Sequence, residues 1–503
     1  MKTVKGVLDK EYTISSVDPR VFGSFVEMLG RCVYSGIYEP GHPEADEQGL
    51  RKDVLELVKG LNIPVVRFPG GNFVSNYRWE DGVGPKDQRP KRLDMAWFTT
   101  ETNEFGTGEF MDWCKKANTK PMMAVNLGTR GPAEAAALIE YCNHPGGTYW
   151  SDLRRSHGAE QPYDVKLWCL GNEMDGPWQM GAKTAYEYGR TANEAGKLMK
   201  WIDPSVELVV CGSSGRGMST FGKWEADVLD QAYDVADYVS LHTYYGNRDN
   251  DTPNFLARSM DMNAFIKEVV ATVDYVKAKN RKKKQINLSF DEWNVWFHSN
   301  AESDRIMQET ARWGSQLPIL EDVYTMEDAL LVGEMLITLM NNSDRVKIAC
   351  EAQLVNVIGM IMTDKGGSAW KQTIYHPFAQ ASALAQGGTV YHARLNAPKH
   401  DTKEFSDVPM VEMSAVGTKD GGLALFIVNR DLKDEAEFEL DLRGFDVKRV
   451  ASQSTMHHED LKAVNTAANP DNVAPFAINT ASVNDGKLQA KLPAASWNVI
   501  VLE

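Results

Sequence analysis

Apolar residues in this chain come in short runs that stop on polar residues, and stretches of helical period lie between them. Eight runs read as buried strands, at residues 21–27, 64–68, 121–127, 165–170, 207–211, 238–242, 285–290 and 353–360. Apolar spacings of three and four predict helices at 49–59, 132–142, 184–201, 224–235, 263–279 and 326–340. Strands alternating with helices predict parallel βαβ units, and eight of them predict a closed (β/α)8 barrel in an α/β fold.

After a helical stretch at 375–384 the pattern changes. Segments 411–416, 423–428, 436–442 and 496–502 are strand-like, with turn signals such as Asp420-Gly421-Gly422 and no helical period between them. This predicts a C-terminal all-β sandwich or jelly roll. Residues 4–14 roughly alternate as a strand but have no neighbour to pair with, so they are expected to join that sandwich from a distance. The expected division is 1–17 for the joining strand, 18–386 for the barrel and 387–503 for the sandwich.

Composition narrows the partners. The 503 residues are too many for one ordinary core, and 43% hydrophobic with 24% charged residues describes a globular protein. A net charge of -15 repels phosphate backbones and anionic membranes, which argues against nucleic acid and lipid and for a neutral or small ligand. Six cysteines stand singly, without CxxC or framework spacing, and read as buried thiols. Together with an N-terminus lacking a signal-like apolar stretch, they suggest a reducing cytoplasm.

In such a barrel the chemistry sits where strands end. The run Lys166-Leu167-Trp168-Cys169-Leu170-Gly171-Asn172-Glu173 leads out of the core onto a carboxylate, and Ile286-Asn287-Leu288-Ser289-Phe290-Asp291-Glu292-Trp293 repeats the design. Either Glu alone could simply cap the next helix. Two of them facing across a pocket can act as general acid and nucleophile on a glycosidic bond. The other strand ends supply Glu27, Arg67, Asn72, Asn126, His242, Tyr244, Tyr245, Gln353 and Asn356, and nearby loops supply Trp79, Trp97, Trp178 and Trp296. Sugars need hydrogen-bond partners for hydroxyls and aromatic faces for C–H surfaces, and this rim offers both. Arg67 fits a structural ion pair beneath the pocket as well as a ligand contact. His242, inside a strand, fits a supporting role better than direct proton transfer.

Three further signals are weak. Residues 211–217 resemble an anion-cradling loop but lack the Lys and Ser/Thr of a nucleotide site. His457-His458-Glu459 has metal-ligand types, yet neighbouring strand residues point to opposite faces. Arg281-Lys282-Lys283-Lys284 reads as a solvated turn at the far end of the barrel.

Phe22-Gly23-Ser24-Phe25-Val26-Glu27, Arg67-Phe68-Pro69-Gly70-Gly71-Asn72-Phe73, Trp168 to Glu173 and Ser289 to Trp296 together resemble the α-L-arabinofuranosidases of glycoside hydrolase family 51. The likeness runs through to Ser496-Trp497-Asn498-Val499-Ile500. It implies a retaining, exo-acting hydrolase of arabino-oligosaccharides with Glu173 as acid/base and Glu292 as nucleophile. By the same resemblance Glu27, Asn72, Asn172, Tyr244 and Gln353 hold the arabinofuranose, and Trp97, Trp178 and Trp296 shape the pocket, with Arg67 and His242 counted in the same binding group. It further implies an intracellular homo-oligomer, often a hexamer, with no metal or other cofactor. The alternatives are an endoglucanase or xylosidase on the same scaffold, or a sugar-binding protein without turnover. The chain departs from the family form at Glu309-Thr310-Ala311-Arg312-Trp313, within residues 299–320. That loop follows the seventh strand and can reach the leaving-group side, the arabinose side being built from other strands, so it is expected to set linkage preference without affecting the chemical step.

Overall fold

The structure, a computed structural model, describes residues 2–310 and 312–503. The chain opens with β1 (Lys2–Ser16), which stays outside the barrel. Eight parallel strands then close a barrel: β2 (Gly23–Phe25), β3 (Val65–Phe68), β6 (Lys120–Val125), β7 (Leu167–Leu170), β8 (Glu207–Val210), β9 (Tyr238–Tyr245), β10 (Asn287–Val295) and β11 (Val346–Glu351). A hairpin of β4 (Arg92–Asp94) and β5 (Thr99–Glu101) stands apart from it.

Alternation along each barrel strand separates two cores. Phe25, Val65, Met122, Ala124, Leu167, Cys169, Val209 and Ile348 fill the interior, while Val66, Phe68, Met123, Val125, Trp168, Leu170, Leu208 and Val210 pack outward with the helices. Strands buried on both faces read as unbroken apolar runs, which is why their positions are visible in the sequence.

The eighth strand is the exception. It was expected at 353–360 and lies instead at Val346–Glu351. The later run is buried but irregular: Leu354 N–H donates to the Phe25 carbonyl, Val357 N–H to that of Val355, and Asn356 and Ile358 have φ of 58° and 37°. Its apolar residues pack as coil against the core. Two other strands outrun their expected ends, β9 to Tyr245 and β10 to Val295, so Glu292 lies within a strand rather than after one.

Nine strands of the C-terminal region and β1 form one ten-stranded curled sheet, and Lys399–His400 pairs separately with Val408–Pro409. The large sheet's halves curl over one core that includes Val4, Leu8, Met413, Leu425, Phe438, Leu440, Leu488 and Ile500. The N-terminal strand joins it as expected. β1 runs antiparallel to Thr389–Asn396 and parallel to Ala436–Arg443, with Val4 opposite Phe438.

Between barrel and sheet lies the helix Met326–Asn341, buried at every position from 326 to 340. A helix apolar all round belongs inside a core, not on a surface. Gly333 lets the sheet approach, since a Cβ there would meet Trp497 Cε3 at 2.5 Å. Its one carboxylate facing the sheet, Glu334, accepts from Arg430 Nε at 2.9 Å, and Arg430 also bonds Glu412. Among the described residues no helix is long and apolar enough to cross a membrane.

Candidate active site

The two carboxylates that the strand ends were expected to present do meet. Gly171 and Glu173 both adopt positive φ, 89° and 44°, so the backbone turns sharply as it leaves β7. For a residue with a Cβ this costs about 1 to 2 kcal/mol. Glu173 Oε2 accepts from Trp178 Nε1 at 2.7 Å, and Oε1 lies 2.9 Å from His242 Nδ1. Opposite it, Glu292 Oε1 accepts from Arg67 Nη1 at 2.6 Å and Oε2 from the Tyr244 hydroxyl at 2.8 Å. One oxygen of each Glu and one His242 nitrogen all lie within 4.8 Å of one another.

The floor is built from β3 and the loop after it. Arg67, 1% exposed, stacks its guanidinium 4.7 Å over the Phe25 ring and donates from Nη2 to Asn172 Oδ1 at 2.7 Å. It therefore underlies the pocket, bonded to Glu292 and Asn172. Asn172 passes the order on, donating to Asn72 Oδ1 at 3.3 Å. Gly70 and Gly71 leave room for this floor: a Cβ would stand 2.8 Å from Glu27 Cγ at the first and 2.9 Å from Glu292 Oε1 at the second.

The third carboxyl, Glu27, is wrapped by donors. Its Oε1 accepts from Phe73 N at 2.9 Å and from Trp97 Nε1 at 3.1 Å, while Oε2 faces Gln353 Nε2 at 3.3 Å. Burial, with the charge of Glu292 adding to it against the pull of the Phe73 N–H, pushes its carboxyl up to about 8. Trp296 stands edge-on to Tyr244, 5.4 Å between centroids, and Trp178 is 52% exposed at the mouth. Glu27, Arg67, Asn72, Trp97, Asn172, Glu173, Trp178, His242, Tyr244, Glu292, Trp296 and Gln353 are thus linked by contacts at one end of the barrel.

His242 is the hub. Its Nδ1 lies 2.9 Å from Glu173 and 3.5 Å from Glu292, and its Nε2 lies 3.1 Å from Asp291 Oδ1. Burial alone would lower its pKa, but the Glu292 charge and the bonds to Asp291 and Glu173 raise it to about 10. Burial likewise opposes the charge on Arg67, yet Asp291 and Glu292 hold that guanidinium well above its ordinary range. Glu173, His242 and Glu292 are the one group among the described residues whose ligand atoms could converge on a metal ion. In this arrangement His242 Nδ1 bonds Glu173 and faces Glu292 at 3.5 Å.

Other candidates belong elsewhere. Asn126 caps its own loop, accepting from Gly128 and Thr129 and donating to the Tyr77 carbonyl. Trp79 packs against Tyr141 and Trp150. Tyr245 donates to Asp261, and Asn356 to the Arg31 carbonyl. The 211–217 loop is tied down internally, with Arg216 on Asp261 and Glu268. Of the run from Glu309 to Trp313, Ala311 and the side chains of Glu309 and Thr310 lie outside the described residues.

Asp291 was not expected here, because strict alternation places neighbours on opposite faces of a strand. The register of β10 shifts against both of its neighbours around residues 290 to 292, and this turns Asp291 and Glu292 both inward. The only trace in the sequence is a second acid beside the first.

Chains of known kind share this arrangement from end to end. The family description "Alpha-L-arabinofuranosidase 1 domain" matches residues 57–261, and "Alpha-L-arabinofuranosidase C-terminal domain" matches 291–496. The chain is 58% identical to the intracellular exo-alpha-(1->5)-L-arabinofuranosidase 1 of Bacillus subtilis (strain 168), over 100% of this chain and 99% of that one. It is 48% identical to an exo-alpha-(1->6)-L-arabinofuranosidase of Bifidobacterium longum, over 98% of this chain and 96% of that one. Among solved structures, a family 51 alpha-L-arabinofuranosidase from Bifidobacterium longum superposes with a TM-score of 0.95 at 43% identity, covering 100% of both chains. The Thermotoga maritima alpha-L-arabinofuranosidase in its arabinose complex gives 0.88 at 34% identity, covering 100% of this chain and 99% of that one. With both halves of the chain matched and the barrel and curled sheet reproduced in full, the protein belongs to the α-L-arabinofuranosidases of glycoside hydrolase family 51.

Proposed function

We propose that this chain removes terminal, non-reducing α-L-arabinofuranosyl groups from arabino-oligosaccharides with net retention, using Glu292 as nucleophile and Glu173 as acid/base. The observation that carries the reading is the spacing: carboxylate oxygens of the two residues lie within 4.8 Å. Retaining pairs stand about 5 to 5.5 Å apart, whereas an inverting pair needs roughly 6.5 to 9.5 Å to admit a water.

In the first step a Glu292 oxygen attacks the anomeric carbon while Glu173 passes its proton to the departing glycosidic oxygen. The arabinosyl group is then an ester of Glu292. In the second step Glu173, now a carboxylate, takes a proton from water, and the oxygen of that water displaces Glu292 from the opposite face. Two inversions leave an α product. Arg67 and Tyr244 orient the attacking carboxylate. Glu27, Asn72, Asn172 and Gln353 offer hydrogen bonds to the furanose hydroxyls, and Trp97, Trp178 and Trp296 supply its walls.

Relatives named for α-(1->5) action at 54 to 58% identity favour α-1,5-linked oligosaccharides derived from arabinan. Their description as intracellular favours a cytoplasmic enzyme acting on imported fragments. A homo-oligomer, a hexamer by family resemblance, and the division at residues 17 and 386 complete the reading. The test is proton NMR of the first product from an aryl α-L-arabinofuranoside. α-Arabinofuranose appearing before mutarotation supports it, and a β product first overturns the roles of both residues.

A further inference from the structure

We propose that Asp291 is a positioning residue that keeps the His242 ring doubly protonated and fixed in orientation, so that one cation stands between the acid/base and the nucleophile in both steps. This rests on the assignment of Glu173 and Glu292 above and deepens it.

An ionised carboxylate only accepts hydrogen bonds, and an imidazole nitrogen donates only if it carries a proton. His242 has acceptors at both ends: Asp291 Oδ1 at 3.1 Å from Nε2, and Glu173 Oε1 at 2.9 Å with Glu292 Oε2 at 3.5 Å from Nδ1. Asp291 and Glu292 lie at opposite ends of the ring, and only the imidazolium can donate towards both, with Glu173 Oε1 accepting beside Glu292 while the acid's proton sits on Oε2. Asp291 alone faces Nε2, so it fixes the ring plane and thereby aims Nδ1 into the gap between the two Glu side chains.

Besides the ring, Asp291 supports the charge on Arg67 from beyond hydrogen-bond range. It is 1% exposed, its Oδ2 meets the Cys169 thiol at 3.6 Å, and the nearest Arg67 nitrogen is 3.9 Å away. A carboxylate buried this deeply persists only beside compensating cations, here Arg67 and the His242 ring. Among the described residues the charged groups around the ring are therefore Glu173, Glu292 and Asp291, with Arg67 behind them.

The arrangement matters most midway through the reaction. Once Glu292 is esterified it loses its charge, and Glu173 must become a base beside the same ring. Without Asp291 the imidazole would give up its second proton or turn towards Glu173 alone. With it, the anion on Nε2 is constant while the charge near Nδ1 passes from Glu292 to Glu173.

The primary test needs no variant: nitrogen-15 NMR of selectively histidine-labelled full-length protein at neutral pH. We expect both His242 nitrogens protonated, and an unprotonated Nε2 or Nδ1 would overturn the proposal. Asp291→Asn should then lower kcat on an aryl arabinofuranoside by 10-fold or more and move the alkaline limb of its pH profile down by at least one unit, with KM changed less than 3-fold. Asp291→Glu should restore that limb. An Asp291→Asn enzyme that loses activity with an unmoved pH profile would show a merely structural role and overturn the idea. A wild type without arabinofuranosidase activity would sink the proposed function instead, leaving the NMR result to judge the pair.

Discussion

The backbone N–H of Trp313 donates to the carbonyl of Phe98 at 2.6 Å, and their rings stand edge to face 5.9 Å apart. Thr100 strengthens the joint, donating from its amide to Gly314 O at 3.0 Å and from its hydroxyl to Trp313 O at 2.7 Å. The loop after β10 is therefore fastened to the β4–β5 hairpin, whose turn carries Trp97 and so reaches Glu27. Sequence proximity to Glu292 suggested a loop confined to the leaving-group side. The structure ties it also to Trp97 and Glu27, which are proposed to hold the arabinose. An edge-to-face pair contributes about 0.5 to 1.5 kcal/mol. Trp313→Ala should accordingly raise KM for an aryl arabinofuranoside by about 2- to 12-fold, as well as altering linkage preference. Unchanged aryl kinetics beside altered oligosaccharide kinetics would return the loop to its simpler role.

The two Glu variants should part company with azide. Glu173→Ala can still form the ester from a substrate with a very good leaving group, so it should accumulate the intermediate and be rescued by azide as the α-L-arabinofuranosyl azide. Glu292→Ala should lose the retaining reaction, and any azide adduct it gives should be β. Product NMR reads both outcomes, and exchanged anomers would exchange the roles.

Gly71→Ala isolates geometry from chemistry. Its φ of -86° and ψ of -98° lie outside the regions alanine favours, and the added methyl would stand 2.9 Å from Glu292 Oε1. A displacement of about 1 Å at a reacting group can cost about 100-fold. We expect kcat to fall by 10- to 100-fold with the melting temperature within a few degrees of wild type. Steady-state kinetics and calorimetry on the same preparation check this.

Glu27 makes a prediction about pH and stability. Unfolded, it releases its proton near 4.5, but in the fold burial holds that proton to about 8. Between those values the native state binds more protons than the unfolded one, so stability from this group falls as pH rises. Below about 4.5 the group contributes no pH dependence, and above about 8 the loss is complete. Glu27→Gln should have a flatter melting curve against pH from 5 to 8 than wild type. Parallel curves would mean that Glu27 ionises normally in the fold.

What the sequence disclosed follows from burial. Strands with both faces covered, such as Met122 to Val125 and Leu208 to Val210, stand out as apolar runs, and polar residues directly after them mark the rim. The eighth strand was obscured because half-buried Lys347 interrupts Val346, Ile348 and Ala349, while the coil from Gln353 to Met360 is more uniformly apolar and fully buried. Asp291 was hidden for a different reason. A register shift in β10 depends on how it pairs with β9 and β11, which no local pattern records. The curled sheet was legible strand by strand, but its order rests on pairings across hundreds of residues.

Those pairings set a timetable for the newborn chain. β1 leaves the ribosome ahead of every barrel strand, and its parallel partner Ala436–Arg443 is made about 430 residues later. At about 5 to 20 residues per second this is a wait of roughly 20 to 90 seconds. Throughout it, a fifteen-residue strand has both edges open to any other strand in the cell. Lys2, Lys5, Asp9, Lys10 and Glu11 are spaced along it, and charges on an open edge discourage promiscuous pairing. Replacing them with alternating apolar residues would leave the finished enzyme much as it is and endanger its birth.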